Sequence, residues 1–142
     1  MGNDALAFFD AFDALVAPLP DNAAFSHLLM QRDGIARDWS CFMAEHNLVL
    51  TPTSARLPFP HGFDAASKEG AAATKIMQRP LVPANLLGVP SAAVPAGRDE
   101  ATGCPIGVLL TGQRFREDIC LDAAEAVEAR LGLKTPIDPI HG

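Results

Sequence analysis

The chain has few basic residues, few cysteines and no long apolar run, and each scarcity excludes a class of protein. Lysine and arginine number 11 against 17 aspartates and glutamates, which gives a net charge of −6 with histidine neutral. A basic surface that binds nucleic acid is therefore not expected. The three cysteines form no CxxC pair and give no disulfide framework, which is typical of a reducing compartment.

Membrane insertion and secretion are not expected either. Apolar runs stay well short of the roughly 18 residues that a membrane helix needs. The first lysine or arginine is Arg32, so the cationic start of a signal peptide is missing. We therefore expect a cytoplasmic protein without a membrane or nucleic-acid partner. The 142 residues suffice for one domain, and the 49% of apolar residues exclude wholesale disorder.

Proline divides the chain into three regions. Eight of the 12 prolines lie between Pro52 and Pro105, and none lies in 21–51 or 106–135. Because proline breaks helices and central strands, this distribution predicts three parts within a single domain of residues 1–142. They are a helical front over 1–47, a strand and loop region over 48–112, and a C-terminal helix over 113–132.

Apolar residues at helical spacing predict three main helices. The first covers 5–17. The second begins at a cap on Asn22 and ends near Asn47, either as one helix weakened at Gly34 or as two shorter helices. The third begins at Glu117, ends at a Gly132 cap and has a predicted buried stripe of Cys120, Leu121, Ala124, Val127 and Leu131. A short helix within 65–77 is also compatible with the sequence.

Three short strands are predicted between the prolines, over 48–51, 91–94 and 106–111. The fold class is therefore α/β. The strands are apolar enough to need cover on both faces of a sheet. The predicted helices are too few to provide it, so we expect part of the sheet to lack its cover.

The residues alone reveal no catalytic or metal site. None of the serines, at 26, 40, 54, 67 and 91, lies in the Gly-rich turn of a serine hydrolase, and Ser91 is interpreted as a strand-start serine. Cys41 and His46 lie on different sides of a helix, where Cys41 is expected to be buried. The histidines lack metal-ligand spacing and the glycines form no phosphate loop. We predict no catalytic residue, no metal and no cofactor.

Three motifs, taken in order, resemble the C-terminal part of the amidase signature family. Trp39-x-x-Phe42 precedes the stretch LVLTPT at 48–53. NLLGVPSAAVPAG follows at 85–97, and GCPIGV at 103–108 leads to a Phe115-x-Glu117-Asp118 helix. The resemblance covers about residues 35–131, and the agreement of three separate motifs makes it specific.

The resemblance implies a partial mixed sheet flanked by helices and an amide hydrolase as the parent activity. Family members use a Ser nucleophile, a second Ser in a cis peptide link and a Lys, all upstream of the matched part, so no catalytic residue is carried over. The stretch before Asn85 runs near the family's substrate channel, which makes Leu81 and Asn85 the candidate substrate-binding residues. Leu109 stands where the family commonly has Gln, which indicates a diverged branch.

Three hypotheses follow. The chain is the C-terminal part of an amidase, inactive alone, whose small-molecule amide substrate binds only in a complete enzyme. Alternatively, it is a free-standing binding or subunit module, or a decayed remnant without activity. The incomplete cover of the sheet predicts self-association, and a self-sufficient monomer would favour the free-standing module.

Overall fold

The fold centres on a three-stranded antiparallel sheet with helices packed against it. A computed structural model of the chain describes residues 5–6, 9–10, 13 and 16–132. The strands β1 (Val49–Pro52), β2 (Ser91–Arg98) and β3 (Pro105–Thr111) lie in the order β1-β3-β2. Both pairings of the central strand β3 are antiparallel. The α/β class is confirmed, and the parallel pairing that a mixed sheet also needs is not among the described strands.

The long front helix α1 (Asn22–Met43) is one continuous helix of 22 residues through Gly34. Its N-cap is Asp21, whose carboxylate accepts a hydrogen bond from the Ala24 N–H at 2.8 Å. The predicted cap at Asn22 is therefore one residue late. The predicted end near Asn47 is wrong, because the helix ends at Met43 and Ala44 is its C-cap. Of the helix predicted over 5–17, the described residues 5–6, 9–10 and 13 are helical, and residues 7–8, 11–12 and 14–15 lie outside the described residues.

Three short helices occupy the proline-rich middle: α2 (Phe63–Ala66), α3 (Lys68–Met77) and α4 (Val82–Leu87). The single helix considered for 65–77 is divided because Ser67 is extended. Its hydroxyl caps α3 by accepting from the Gly70 N–H at 3.1 Å. No helix at α4 is predicted from the sequence. Proline in its first turn and a left-handed Gly88, with φ 63°, nevertheless give it favourable ends.

Strand β2 continues through Pro95 to Arg98, four residues beyond the predicted end at Val94. The prediction fails because β2 is an edge strand, where a residue without an N–H is tolerated. The pairing with β3 also shifts between Pro95 and Gly97, as at a β-bulge.

The C-terminal helix α5 (Glu117–Leu131) covers one sheet face and forms the main apolar core with it. Val94, Leu110 and Ala124 are its buried centre, and Ala92, Val108, Ala123 and Val127 pack around them. The helix starts beside an ion pair, in which Arg116 donates to Asp118 at 2.9 Å and lowers the pKa of that carboxyl. Gly132 ends the helix in the left-handed conformation, as predicted.

The predicted helix stripes are only partly buried. Cys120 is 2% exposed, and burial raises the pKa of its thiol, which keeps it neutral. Leu121 and Leu131 are 64% and 44% exposed, so their predicted burial is wrong. Neither residue belongs to the apolar core between α5 and the sheet. Cys41 is also exposed, against expectation, because α1 buries little of its surface: Met43 is its one buried residue.

The two sheet faces are covered to different extents. On β3, Leu109 and Leu110 point to opposite faces and are 3% and 4% exposed, so this central strand is covered on both sides. Leu50 of β1 is paired with Leu110 but is 61% exposed, because α5 lies over β2 and β3. The expected gap in the cover is therefore at β1. No helix in the described part of the chain is long and apolar enough to cross a membrane.

Candidate functional site

Short helix α4 lies over the sheet face opposite α5 and creates two cavities there. The strand register places Val49 opposite Thr111 and Thr51 opposite Leu109, and Ser91 is opposite Thr111 on the other side. These five side chains share one face of the sheet because neighbours two apart on a strand point the same way. They form the floor of both cavities, and α4 with its flanking residues forms the roof.

Two arginines from distant parts of the sequence hold α4 in place. The Arg32 Nε of α1 donates to the Leu86 carbonyl at 2.7 Å, and the Arg114 Nη2 donates to the Leu87 carbonyl at 2.6 Å. These are terminal carbonyls of α4 that the helix itself cannot satisfy. Cations also suit the negative end of a helix. Both arginines line an open cleft of about 350 Å³ between α1 and α4.

The first cavity contains both candidate substrate-binding residues. Leu81, at the N-cap of α4, and Asn85 line a cavity of about 350 Å³ together with Ala84, Val89, Ser91 and Leu109. The backbone N–H of Asn85 lies 3.4 Å from the Leu81 carbonyl, as expected one helical turn apart. Leu81 is 37% exposed, so its side chain is accessible to a ligand. The structure thus brings the two residues to one cavity, which combines apolar side chains with the Asn85 amide and the Ser91 hydroxyl.

Ser91 is at the edge of this cavity and has no general base beside it. Its Oγ lies 3.0 Å from the Thr111 Oγ1, and either hydroxyl can be the donor. A neutral hydroxyl does not activate a serine as histidine or lysine does. This geometry agrees with Ser91 as a strand-start residue. In the described ranges, no three His, Cys, Asp or Glu side chains gather as a metal site would require.

The second cavity is smaller, about 170 Å³, and lies between Trp39, α4 and the β1 side of the sheet. Trp39 is fixed by its indole N–H, which donates to the Gly112 carbonyl at 3.3 Å. Thr51 reaches this cavity from β1. Sequence reasoning found neither this cavity nor the arginine contacts. The residues involved are 54 and 27 positions from their partners on α4, so no local pattern signals them.

Comparison with known proteins identifies the family of this chain. The model of the family described as Amidase matches residues 14–121, which is most of the chain. The indoleacetamide hydrolase of Bradyrhizobium japonicum is 35% identical over 119 residues, which cover 80% of this chain and 24% of that protein. The A-subunit of the glutamyl-tRNA(Gln) amidotransferase of Nitrobacter hamburgensis is 37% identical over 98 residues, 68% of this chain and 19% of that protein.

Solved structures agree with the sequence comparison. The glutamyl-tRNA(Gln) amidotransferase A-subunit from Thermotoga maritima superposes with a TM-score of 0.72 at 26% identity, over 85% of this chain and 26% of that one. A 6-aminohexanoate cyclic dimer hydrolase with bound substrate gives a TM-score of 0.59 at 27% identity, over 79% and 24% of the two chains. The chain belongs to the amidase family. It spans about a quarter or less of the length of the curated relatives it matches.

Proposed function

We propose that this chain is the C-terminal part of an amidase-like hydrolase of carboxylic amide C–N bonds. In this proposal it supplies sheet strands and one wall of the substrate channel, and it is inactive alone. The family match over residues 14–121 carries the proposal. The cavity lined by Leu81 and Asn85 supports it, because its apolar side chains, together with the Asn85 amide and the Ser91 hydroxyl, suit a small organic amide.

The incomplete cover of the sheet supports the same proposal. Leu50 on β1 and several apolar residues of α1 are about half exposed or more, although strands and helices of this composition are normally covered. The remainder of an amidase fold would bury such surfaces. The proposal places the chain as a single domain of residues 1–142 in the cytoplasm.

A subunit module is the second candidate. Two of the similar proteins are, by name, components of an amidotransferase made of subunits, so a relative of this chain works within an assembly. In this alternative the exposed apolar surfaces bind another chain, and the activity is in the assembly. The two candidates predict different results for one polypeptide that joins this chain to the remainder of an amidase. The first predicts an active enzyme, and the second does not.

The first experiment measures amide hydrolysis by the purified 142-residue chain with indoleacetamide and glutamine as substrates. We expect no turnover above background, because removal of a catalytic triad costs about 10⁶-fold in a well-studied serine enzyme. Ser91→Ala is expected to leave this result unchanged. Turnover by the wild type that Ser91→Ala abolishes would contradict the proposal.

The second experiment tests whether the chain performs its part in a complete enzyme. The matched segment of the Bradyrhizobium indoleacetamide hydrolase is replaced by the corresponding residues of this chain. We expect a folded chimera that hydrolyses amides, with the parent enzyme as the positive control. A chimera that folds and shows no turnover on any amide in a panel would favour the subunit module or a remnant.

A further inference from the structure

Three arginines line the open cleft of about 350 Å³ between α1 and α4, which we call the arginine cleft. Arg32 and Arg37 come from α1, and Arg114 comes from the segment between β3 and α5. Asp33 is the one carboxylate among the described lining residues, so three guanidinium groups and one carboxylate give the cleft a formal charge of +2. The whole chain has a net charge of −6, so the arginine cleft is a local reversal of its charge.

Two of the arginines are already held in position. The Arg32 Nε and the Arg114 Nη2 donate to carbonyl groups at the end of α4, at 2.7 Å and 2.6 Å. A guanidinium has five N–H donors, so each arginine uses one of them on α4 and has others for a ligand. Side chains that are already fixed lose little conformational freedom when a ligand binds, which favours affinity.

Arg37 has no such structural task. It is exposed, and its guanidinium makes no hydrogen bond or ion pair with another described residue. The Arg32 Nη1 is 3.9 Å from the Asp33 carboxylate, a long contact between side chains that are 39% and 71% exposed. An exposed pair at this distance is weak, so Asp33 does not occupy the arginines in place of a ligand. Arg114 is exposed as well, and a ligand from solution can therefore reach all three arginines.

The remaining wall of the arginine cleft is largely apolar. Its side chains include those of Trp39, Leu87 and Val89. The Ser40 hydroxyl also lies there but donates to the Ala36 carbonyl of its own helix at 2.9 Å. Guanidinium groups beside an apolar wall suit a ligand that combines an anionic group with an apolar part.

We propose that the arginine cleft binds a small organic phosphate monoester. Such a phosphate carries a charge of about −1.5 to −2 at pH 7, which matches the formal charge of the cleft. Its oxygens accept the paired N–H bonds that guanidinium groups donate, and its apolar part would contact Trp39 and Leu87. A monocarboxylate would neutralise only half of the charge. The proposal needs neither hydrolysis nor the remainder of an amidase, and the cleft shares only Val89 with the cavity of Leu81 and Asn85.

Trp39 makes occupancy of the arginine cleft measurable. It is the single tryptophan of a chain without tyrosine, so tryptophan fluorescence comes from the wall of the cleft. Phenyl phosphate is titrated into the full chain at constant ionic strength, because salt screens exposed charges. Ligand-detected NMR measures the same binding independently of fluorescence. We expect saturable binding of phenyl phosphate by both measurements.

Two further probes separate the parts of the ligand. Inorganic phosphate tests the anion without the ring, and benzoate tests the ring with a single negative charge. We expect each to bind more weakly than phenyl phosphate. For benzoate the expected difference is about three- to fivefold, the effect of one charge at a partly exposed site.

Variants with opposite charge changes locate the site. Arg37→Gln removes one cation and leaves the bonds to α4 intact, so it is expected to weaken phenyl phosphate binding about three- to fivefold. Asp33→Asn removes the carboxylate of the cleft and is expected to strengthen binding about two- to threefold. Arg98→Gln is the matched control: it removes the same charge from an exposed residue at the end of β2, outside the cleft, and is expected to leave the affinity unchanged.

Melting temperatures verify that each variant is folded. The proposal is overturned if phenyl phosphate shows no saturable binding to the wild type by either measurement. It is also overturned if Arg37→Gln binds phenyl phosphate no more weakly than Arg98→Gln, or if benzoate binds as tightly as phenyl phosphate.

Discussion

At the residue scale, Leu81 offers the most direct test of the substrate wall. Its side chain lines the larger cavity and is 37% exposed, so shortening it removes ligand contact at little expense of core packing. In the chimera described above, we expect Leu81→Ala to change the preference among acyl chain lengths more than it changes stability. One methylene in an apolar pocket contributes about 1–3 kcal/mol of discrimination.

The measurement is kcat/KM for a series of amides with different acyl chains, together with the melting temperature of each variant. Leu86→Ala is the matched control, because Leu86 lies on the same helix and is 47% exposed but does not line the cavity. Identical preferences for Leu81→Ala and the wild type across the series would count against contact between Leu81 and the substrate.

At the element scale, two glycines lie within helices but have opposite surroundings. Replacing each by alanine distinguishes the effect of helix propensity from the effect of packing. A Cβ at Gly34 in α1 would meet nothing within 4 Å, whereas one at Gly70 in α3 would overlap the carbonyl oxygen of Phe63. Gly34→Ala is expected to raise the free energy of unfolding by about 1 kcal/mol. Gly70→Ala is expected to lower it by about 1–3 kcal/mol, because that carbonyl is backbone and cannot rotate away.

Urea denaturation of the two variants and the wild type measures both effects. The opposite signs are the informative result, since the same substitution in both helices carries the same intrinsic propensity. A destabilising Gly34→Ala would show that α1 does not pass through position 34 as one regular helix. A stabilising Gly70→Ala would show that α3 does not lie against Phe63 as the structure has it.

The sequence predicts elements whose signals are local and misses contacts that are distant along the chain. The strand over 106–111 and the helix from Glu117 are recognisable from apolar spacing and from a Gly132 cap, and both are present. The end of β2 depends on whether the strand is at an edge, which only the sheet order decides. The hydrogen bonds of Arg32 and Arg114 to α4 likewise leave no periodic pattern in the sequence, so they could not be predicted from it.

The candidate site shows the same division. Leu81 and Asn85 are selected from the sequence by resemblance, and the structure places them on one cavity wall. Their role with a substrate stays a prediction. Trp39 and Thr51 come from different elements and line one cavity only in the fold, so no local pattern in the sequence brings them together.

At the scale of the whole molecule, α1 carries an apolar stripe that the described elements leave uncovered. Leu28, Ile35 and Phe42 recur every seven residues on one side of the helix and are 45%, 51% and 48% exposed. The net charge of −6 opposes association only weakly, because screening acts over about 8 Å at physiological salt. We therefore expect the isolated chain to form a dimer or a larger oligomer through this stripe.

Sedimentation velocity at low micromolar concentration measures this association, and charged substitutions locate the surface. Ile35→Glu is expected to shift the population toward the 15.0 kDa monomer, because association would bury a carboxylate without a partner. Met30→Glu introduces the same charge on a different side of α1, where the native side chain is 64% exposed, and is expected to leave the association unchanged. A wild-type chain that sediments as one 15.0 kDa species, melts cooperatively and binds no hydrophobic dye would show that the stripe needs no cover. That outcome would move the balance from the incomplete amidase toward a free-standing module.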